Sequence, residues 1–406
     1  MTRVESTGEH AVIDPSPERH GARKTIRVFA AASFLNDLGS DIIYPVWPLF
    51  VTSVLGANMA VLGFIDGLGD AIVSVSQAAS GYFSDRIRKR KMFIWIGYSC
   101  GSLSRIGYAL STLWEQLIPF RVFDRMGKIR SAPRDAIIAD LSTDQNRGKN
   151  FGILRSMDNL GAVCGILICT AFFHLGYRNL FLLAALPSAI AVGLVLALIK
   201  EAPRGESRIF KGLSLKHLDR NFWLFLVLSS LFALGSFSYS FLLIYAERFG
   251  VRESSLPVLY LVFTLVAALL SLPFGRLSDS IGRKRVMLVS FLAWGMTCLG
   301  FVVLRGVWGA FSCFVLYGVH RAALEPVQKT LVAELTPPDF RASALGGFQM
   351  VVGLCAFPSS FVAGLLWYQL DTTAPLYLSL VLTALSSAML LFVEEKRNNA
   401  PLRSST

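Results

Sequence analysis

The chain has 406 residues, 53% of them hydrophobic and 16% charged, where a soluble protein carries about 25% charged residues. Its formal net charge is +12, but Lys and Arg fall in short clusters between apolar runs, not among aromatics on a polar face. That distribution excludes a nucleic-acid binder and is the way membrane topology is written. Six cysteines lie inside apolar segments with no C-x-x-C pair, which excludes a zinc site and a disulfide framework and leaves them as small packing residues.

Residues 1–25 are polar, mixed in charge and contain Pro15 and Pro17. They lack the apolar stretch of a signal peptide, so a disordered cytoplasmic tail and an uncleaved first helix are expected. A helix needs about 20 mostly apolar residues to cross the hydrocarbon layer. Such runs lie near 26–54, 58–84, 92–112, 114–138, 151–173 and 180–199, then near 221–246, 254–278, 286–304, 306–333, 342–368 and 374–393. The fourth is interrupted by Arg121, Asp124, Arg125, Lys128 and Arg130; even spacing and charge parity both require a crossing there. The expected organisation is a bundle of six helices over 26–199, a cytoplasmic linker over 200–220, a second bundle over 221–393 and a cytoplasmic tail over 394–406.

Basic residues set the orientation. With the N-terminus inside, Arg86, Arg88, Lys89, Arg90, Lys91, Arg147, Lys149, the 200–220 cluster and Arg283, Lys284 and Arg285 all fall on the cytoplasmic side. The other side keeps only Arg178, Arg248, Arg252 and Arg305. This bias places both termini in the cytoplasm and the chain across the inner (plasma) membrane.

The loop Gly81-Tyr-Phe-Ser-Asp85-Arg86 is repeated as Gly275-Arg-Leu-Ser-Asp279-Ser280, at an offset of 194 residues. The same offset relates Asp140 to Glu334, Arg147 to Arg341 and Gly152 to Gly346. Two homologous halves follow. Transporters built from repeats carry substrate near the midplane, between halves that rock to expose it to either side.

These residues resemble the major facilitator superfamily. The pattern G-x-x-x-D-R-x-G-R-K of its inner-loop motif is matched by Gly81, Asp85, Arg86 and Arg90, with Arg88 where Gly is usual. It is matched again by Gly275, Asp279, Gly282 and Arg283, with Ser280 where Arg is usual. Leu38-Gly39, five residues, then Pro45-Val46-Trp47-Pro48 is similar to a signature of twelve-helix drug:proton antiporters. Gly152, Gly161 and Gly165 reproduce the glycine spacing of the antiporter motif, with Ile166 in place of its Pro. Arg121 stands at the family's arginine position in the fourth span, followed by Asp124 and Arg125. The stretch from Ala132 to Asp140 is similar to a group of largely uncharacterised prokaryotic members. The resemblance implies an all-α membrane fold of twelve helices in two pseudo-symmetric bundles. It also implies that Asp85 and Asp279 latch a cytoplasmic gate, the alternative being that these loops only set topology.

Charge at bilayer depth costs roughly 2.5–3.5 kcal/mol per residue, so it implies a cavity, a partner or a function. Asp37 and Asp41, and Asp66 and Asp70, are i, i+4 pairs on single helix faces. Two carboxylates so placed in a low dielectric do not both ionise easily, and proton transfer across a membrane requires such a group. Asp124 and Asp158 join them, with Arg105, Arg121 and Arg155 as counter-charges; static salt bridges among these helices are the alternative. Asp37, Asp41 and Arg121 are the leading candidates. Substrate contact is expected from Asn36, Tyr239, Tyr245, His320, Arg321, Glu325 and Gln349, with His320 weighed also as a packed core residue.

The expected activity is secondary active transport by alternating access, as proton-coupled export of a small organic molecule. Uptake of a small anion or nutrient by symport, or metal-ion movement, are the alternatives. The partners are then the substrate, a proton or other coupling cation and the lipid bilayer, with the chain as a monomer and no nucleic acid. No nucleotide-binding glycine loop, H-E-x-x-H or soluble catalytic domain is present, so neither an enzyme nor a cofactor is expected.

Overall fold

The computed structural model describes residues 16–87, 89–143, 146–199, 219–337 and 341–395. The expected linker and C-terminal tail lie outside the described residues, apart from 219–220 and 394–395, as do residues 1–15 of the expected N-terminal tail. Helices occupy each of the twelve expected segments.

The first half comprises α1 (Ser16–Ile43), α2 (Met59–Ile87), α3 (Arg90–Leu110), α4 (Leu117–Met126), α5 (Ser131–Asp140), α6 (Arg147–Ala171) and α7 (Tyr177–Leu198). The second comprises α8 (Arg220–Gly235), α9 (Tyr239–Arg248), α10 (Leu256–Ile281), α11 (Arg283–Val303), α12 (Gly306–Glu334), α13 (Arg341–Leu354), α14 (Ala356–Gln369) and α15 (Ala374–Leu390). Among the described residues, eight helical segments are long and apolar enough to cross a membrane. The others are more polar, as in α1, α3 and the α4–α5 pair, or shorter, as in α15.

Three departures from the expected segments have local causes. Helix α1 starts at Ser16, so residues 16–25 are helical where a disordered tail was expected. Pro17 lies in the first turn, where its missing N–H breaks no hydrogen bond, and Glu18, Arg19, Ala22, Arg23 and Lys24 favour helix. The first segment does not stay helical to residue 54 without interruption: Tyr44–Val46 form a turn before a short helix at Trp47–Leu49 and a π-helical turn at Phe50–Val54. Pro45 and Pro48 remove the amide donors that a continuous helix would need. The fourth segment tightens into a 3-10 turn at Gly127–Arg130 between α4 and α5, where the Gly127 carbonyl crowds Gly97 of α3.

Close helix contacts use small residues, as expected where lipid gives no hydrophobic drive between helices. Helix α6 lies on α1, and a Cβ at Gly161 or Gly165 would collide with the carbonyl oxygen of Phe34 or Leu38, respectively. The two halves meet where α2 packs on α14; a Cβ at Gly67 would stand 2.8 Å from the Phe357 carbonyl oxygen. Large apolar side chains such as Leu186, Leu269, Leu292 and Trp308 remain exposed, on surfaces suited to lipid.

Candidate functional site

Two helix breaks meet at the boundary between the halves. On one side is the Tyr44–Val46 turn; on the other, Ser236–Ser238 separate α8 from α9. A broken helix leaves backbone groups without intrahelical partners, which is tolerated at membrane depth only inside protein or along a cavity. Here the partners are side chains. The Tyr239 hydroxyl donates to the Tyr44 carbonyl at 3.3 Å, and the Ser238 amide donates to Ser360 Oγ at 3.1 Å.

Asp66 of α2 is the hub of this junction and is only 1% exposed. Its Oδ1 accepts from Trp47 Nε1 at 2.8 Å and from Arg121 Nη2 at 2.8 Å. Its Oδ2 accepts from Ser238 Oγ at 2.8 Å and also from Ser240 Oγ. One carboxylate therefore binds the first half's arginine and the second half's serines. The Arg121 guanidinium lies over the Trp47 ring, 4.3 Å from its centroid, and among the described residues its Nε and Nη1 have no hydrogen-bond partner.

Next to this hub lies a cavity of about 430 Å³ between the halves. Asp70, Arg125 and Tyr44 face it from the first half, and Tyr239, Tyr260 and Arg321 from the second. It continues past Ser229, Gln328 and Val352, along α8, α12 and α13 toward the end of the molecule that carries the basic loops. Arg125 donates to the Tyr44 hydroxyl at 3.2 Å. The opposite end is closed by the Asp66 junction and, farther out, by the Tyr177 hydroxyl donating to Glu253 at 2.7 Å.

The other acidic candidates are dispersed. Among the described residues, Asp37 accepts only from its neighbour Asn36, at 2.9 Å, so the leading pair Asp37 and Asp41 does not join Arg121. Asp41 is 8% exposed; its backbone lies at the α1–α6 contact, and its carboxylate faces the hydroxyl of Tyr260 on the cavity wall. Asp124 stands 3.9 Å from Arg125, and Asp158 stands 3.5 Å from Arg155. The Arg155 side chain is 66% exposed and does not line the central cavity. Arg105 finds neutral oxygens instead of a carboxylate: Ala184 at 2.9 Å, Asn36 at 3.1 Å, Ser40 at 2.8 Å, and Ser188. It staples α3 to α1 and α7, and Gly39 leaves the space that its guanidinium fills.

Four of the expected substrate contacts lie elsewhere. His320 is 1% exposed and bonds the Ser290 hydroxyl at 2.9 Å and carbonyl at 3.0 Å, among Phe232, Trp294 and Tyr317; it is a packed core histidine. Tyr245 packs against Trp367 with the rings tilted at 47° and donates to the Thr372 carbonyl, on the far side of the junction. Asn36 is 1% exposed beneath α3, and Gln349 is exposed outside the cavity lining. Tyr239 and Arg321 do reach the cavity, and Glu325 pairs with Arg321 one turn along α12.

At the basic end, Arg90 pairs with Asp140 at 2.5 Å, and Arg283 pairs with Asp279 at 2.6 Å and Glu334 at 3.1 Å. Gly282 has φ +102, a conformation that glycine adopts without strain. Gly81 faces Ala132, and Gly275 faces open space. Arg86 lies at the end of α2; the Asp85 side chain lies outside the described residues.

The sequence reading missed Trp47, Ser238 and Ser240 as partners of Asp66, and Tyr44, Arg125 and Tyr260 as cavity lining. The interruption of the apolar fourth segment at Arg125 was a usable signal, as was the proline-flanked Tyr44. Serines in an apolar segment gave none. Among the described residues, no group of three or more His, Cys, Asp or Glu is placed to hold a metal ion.

A family model for the Major Facilitator Superfamily matches residues 29–262 and 224–406. An uncharacterized MFS-type transporter of Methanocaldococcus jannaschii is 35% identical, over 91% of this chain and 95% of its own length. The quinolone resistance protein NorA of Staphylococcus aureus is 23% identical, over 94% of this chain and 98% of its own. Among solved structures, the nucleoside transporter NupG shares the fold with a TM-score of 0.74 at 16% identity, over 90% of this chain and 97% of that one.

Proposed function

The chain belongs to the major facilitator superfamily and is a multi-pass membrane transporter, not an enzyme, and from that premise we propose a proton-coupled antiporter that exports a small organic molecule. The observation that carries the coupling is Asp66. Its charge is neutralised by Arg121 in one half, while Ser238 and Ser240 of the other half donate to it.

Sealing of this end and proton occupancy are then linked. A proton on Asp66 removes the attraction to Arg121 and takes up one of the oxygens the serines use. The proton and the closed junction therefore compete for the same carboxylate. A proton is taken up when this end opens and released when it closes. With the basic loops in the cytoplasm, the sealed end faces outward and the cavity opens inward. The proton thus moves inward, and each charge that crosses 100 mV releases about 2.3 kcal/mol. Similarity to a quinolone resistance protein supports export as the direction of the substrate.

The test is a substrate panel in proteoliposomes under an imposed pH gradient, read by proton movement. Substrate addition should release protons in the direction opposite to substrate flow. Proton flux in the same direction as the substrate would establish symport, and substrate movement with no proton flux would end the coupling reading.

A further inference from the structure

Two charges face the cavity without satisfying each other. Arg125 is 8% exposed, one of its terminal nitrogens is used by Tyr44, and its buried Nε has no hydrogen-bond partner. The nearest carboxylate oxygen on Asp124 stands 3.9 Å from that Nε, beyond hydrogen-bond reach. Asp70, also on the cavity wall, accepts from Ser74 only through its backbone carbonyl. Among the described residues, its carboxylate has neither a hydrogen bond nor an ion pair within 4.0 Å. Arg321 differs, because Glu325 on the same helix already answers its charge.

The second half presents a different surface to the same space. Phe232, Tyr260, Phe263 and Tyr317 line it, and the Tyr260 and Phe263 rings meet edge to face at 4.8 Å. A ligand between these walls meets one anion and one cation on one side and aromatic faces on the other.

We propose that the cavity takes a small zwitterion, its ammonium group at Asp70, its carboxylate at Arg125 and an aromatic tail against the second half. A monocation would leave Arg125 unanswered and a monoanion would leave Asp70 unanswered. Each case leaves a buried ionic group short of a hydrogen-bond partner, which is costly. A zwitterion answers both, its carboxylate accepting from the terminal nitrogen of Arg125 that Tyr44 does not use. The cavity, about 430 Å³, is of the size that encloses small organic ligands.

This inference rests on the transport reading for its substrate role, and its test uses binding alone, with no gradient. Purified protein in nanodiscs is titrated with aromatic α- and β-amino acids, phenylalanine among them, against phenethylamine and 3-phenylpropanoate, which each keep one charge. Ligand-induced thermal stabilisation and tryptophan fluorescence are the readouts. The zwitterions should bind, and each single-charge analogue should bind about tenfold more weakly or worse, as for sites left with an unpaired polar group. Asp70→Asn should relax the discrimination against 3-phenylpropanoate, and Arg125→Gln that against phenethylamine. If either variant fails to fold, the wild-type panel still decides. Equal or tighter binding of a single-charge analogue, or no binding by any zwitterion, overturns the inference. Zwitterion binding without proton exchange in proteoliposomes would overturn the coupling reading and leave this one standing.

Discussion

Ser238 reaches across the boundary between the halves and donates to Asp66 Oδ2 at 2.8 Å, at the point where α8 gives way to α9. Because the same carboxylate holds Arg121 at 2.8 Å, two substitutions that both break the pair should behave differently. Asp66→Asn keeps the shape and removes the exchangeable proton. It should abolish transport driven by a pH gradient while leaving substrate counterflow measurable. Arg121→Ala strands a buried carboxylate, and breaking a buried pair in this way costs about 3–5 kcal/mol. It should lower the thermal midpoint in detergent and reduce the yield of folded protein. Driven transport that survived Asp66→Asn would remove Asp66 from the coupling step.

The three glycines of the antiporter-like spacing should separate by their contacts. A Cβ on Gly161 or Gly165 would collide with an α1 carbonyl oxygen, of Phe34 or Leu38, whereas one on Gly152 meets nothing within 4 Å. Gly161→Val and Gly165→Val should each destabilise by about 1–3 kcal/mol, the usual cost of overpacking, and should disrupt the α1–α6 contact. Gly152→Ala should leave the thermal midpoint and transport unchanged. Equal effects at all three positions would mean that the spacing serves something other than helix packing.

His320 gives a test of a packed role against a transport role. Its ring is held by Ser290 and surrounded by Phe232 and Trp294. His320→Ala leaves the Ser290 hydroxyl with less to bond and opens a void, at a cost of about 1–3 kcal/mol for the lost buried hydrogen bonds. Stability should fall, while the substrate KM in the surviving folded fraction stays as in the wild type. A raised KM at unchanged stability would return His320 to the substrate path.

The fold was legible because lipid imposes a simple rule: long apolar runs between basic clusters have few alternatives. The offset that joins Asp140 to Glu334 carries into three dimensions, since each of these acids pairs with an arginine at the basic end. The site was only half legible. Asp66, Asp70 and Arg121 stood out as charges at bilayer depth, and the structure brings Asp66 and Arg121 together. Which of several carboxylates finds the arginine depends on the helix breaks at Tyr44–Val46 and Ser236–Ser238, whose angles no periodicity encodes. Ser238 and Ser240 carry no signal until their neighbours are known. His320 and Tyr245 misled for the converse reason, because a polar atom in an apolar helix can be satisfied within its own bundle.

The corner between α10 and α11 should depend on backbone shape more than on charge. Gly282 has φ +102, and a Cβ there would stand 2.8 Å from the Glu395 carboxylate, which accepts from the Arg283 amide at 2.5 Å. Gly282→Ala must therefore adopt a strained backbone, at about 1–3 kcal/mol, and push away the group that holds the start of α11. Arg283→Gln removes pairs to Asp279 and Glu334 whose acidic side chains are 68% and 37% exposed, and exposed pairs contribute about 0–1 kcal/mol. Thermal unfolding in detergent should show a clear drop for Gly282→Ala and little change for Arg283→Gln. The reverse order would show that the ion pairs, and not the turn, set the geometry of this corner.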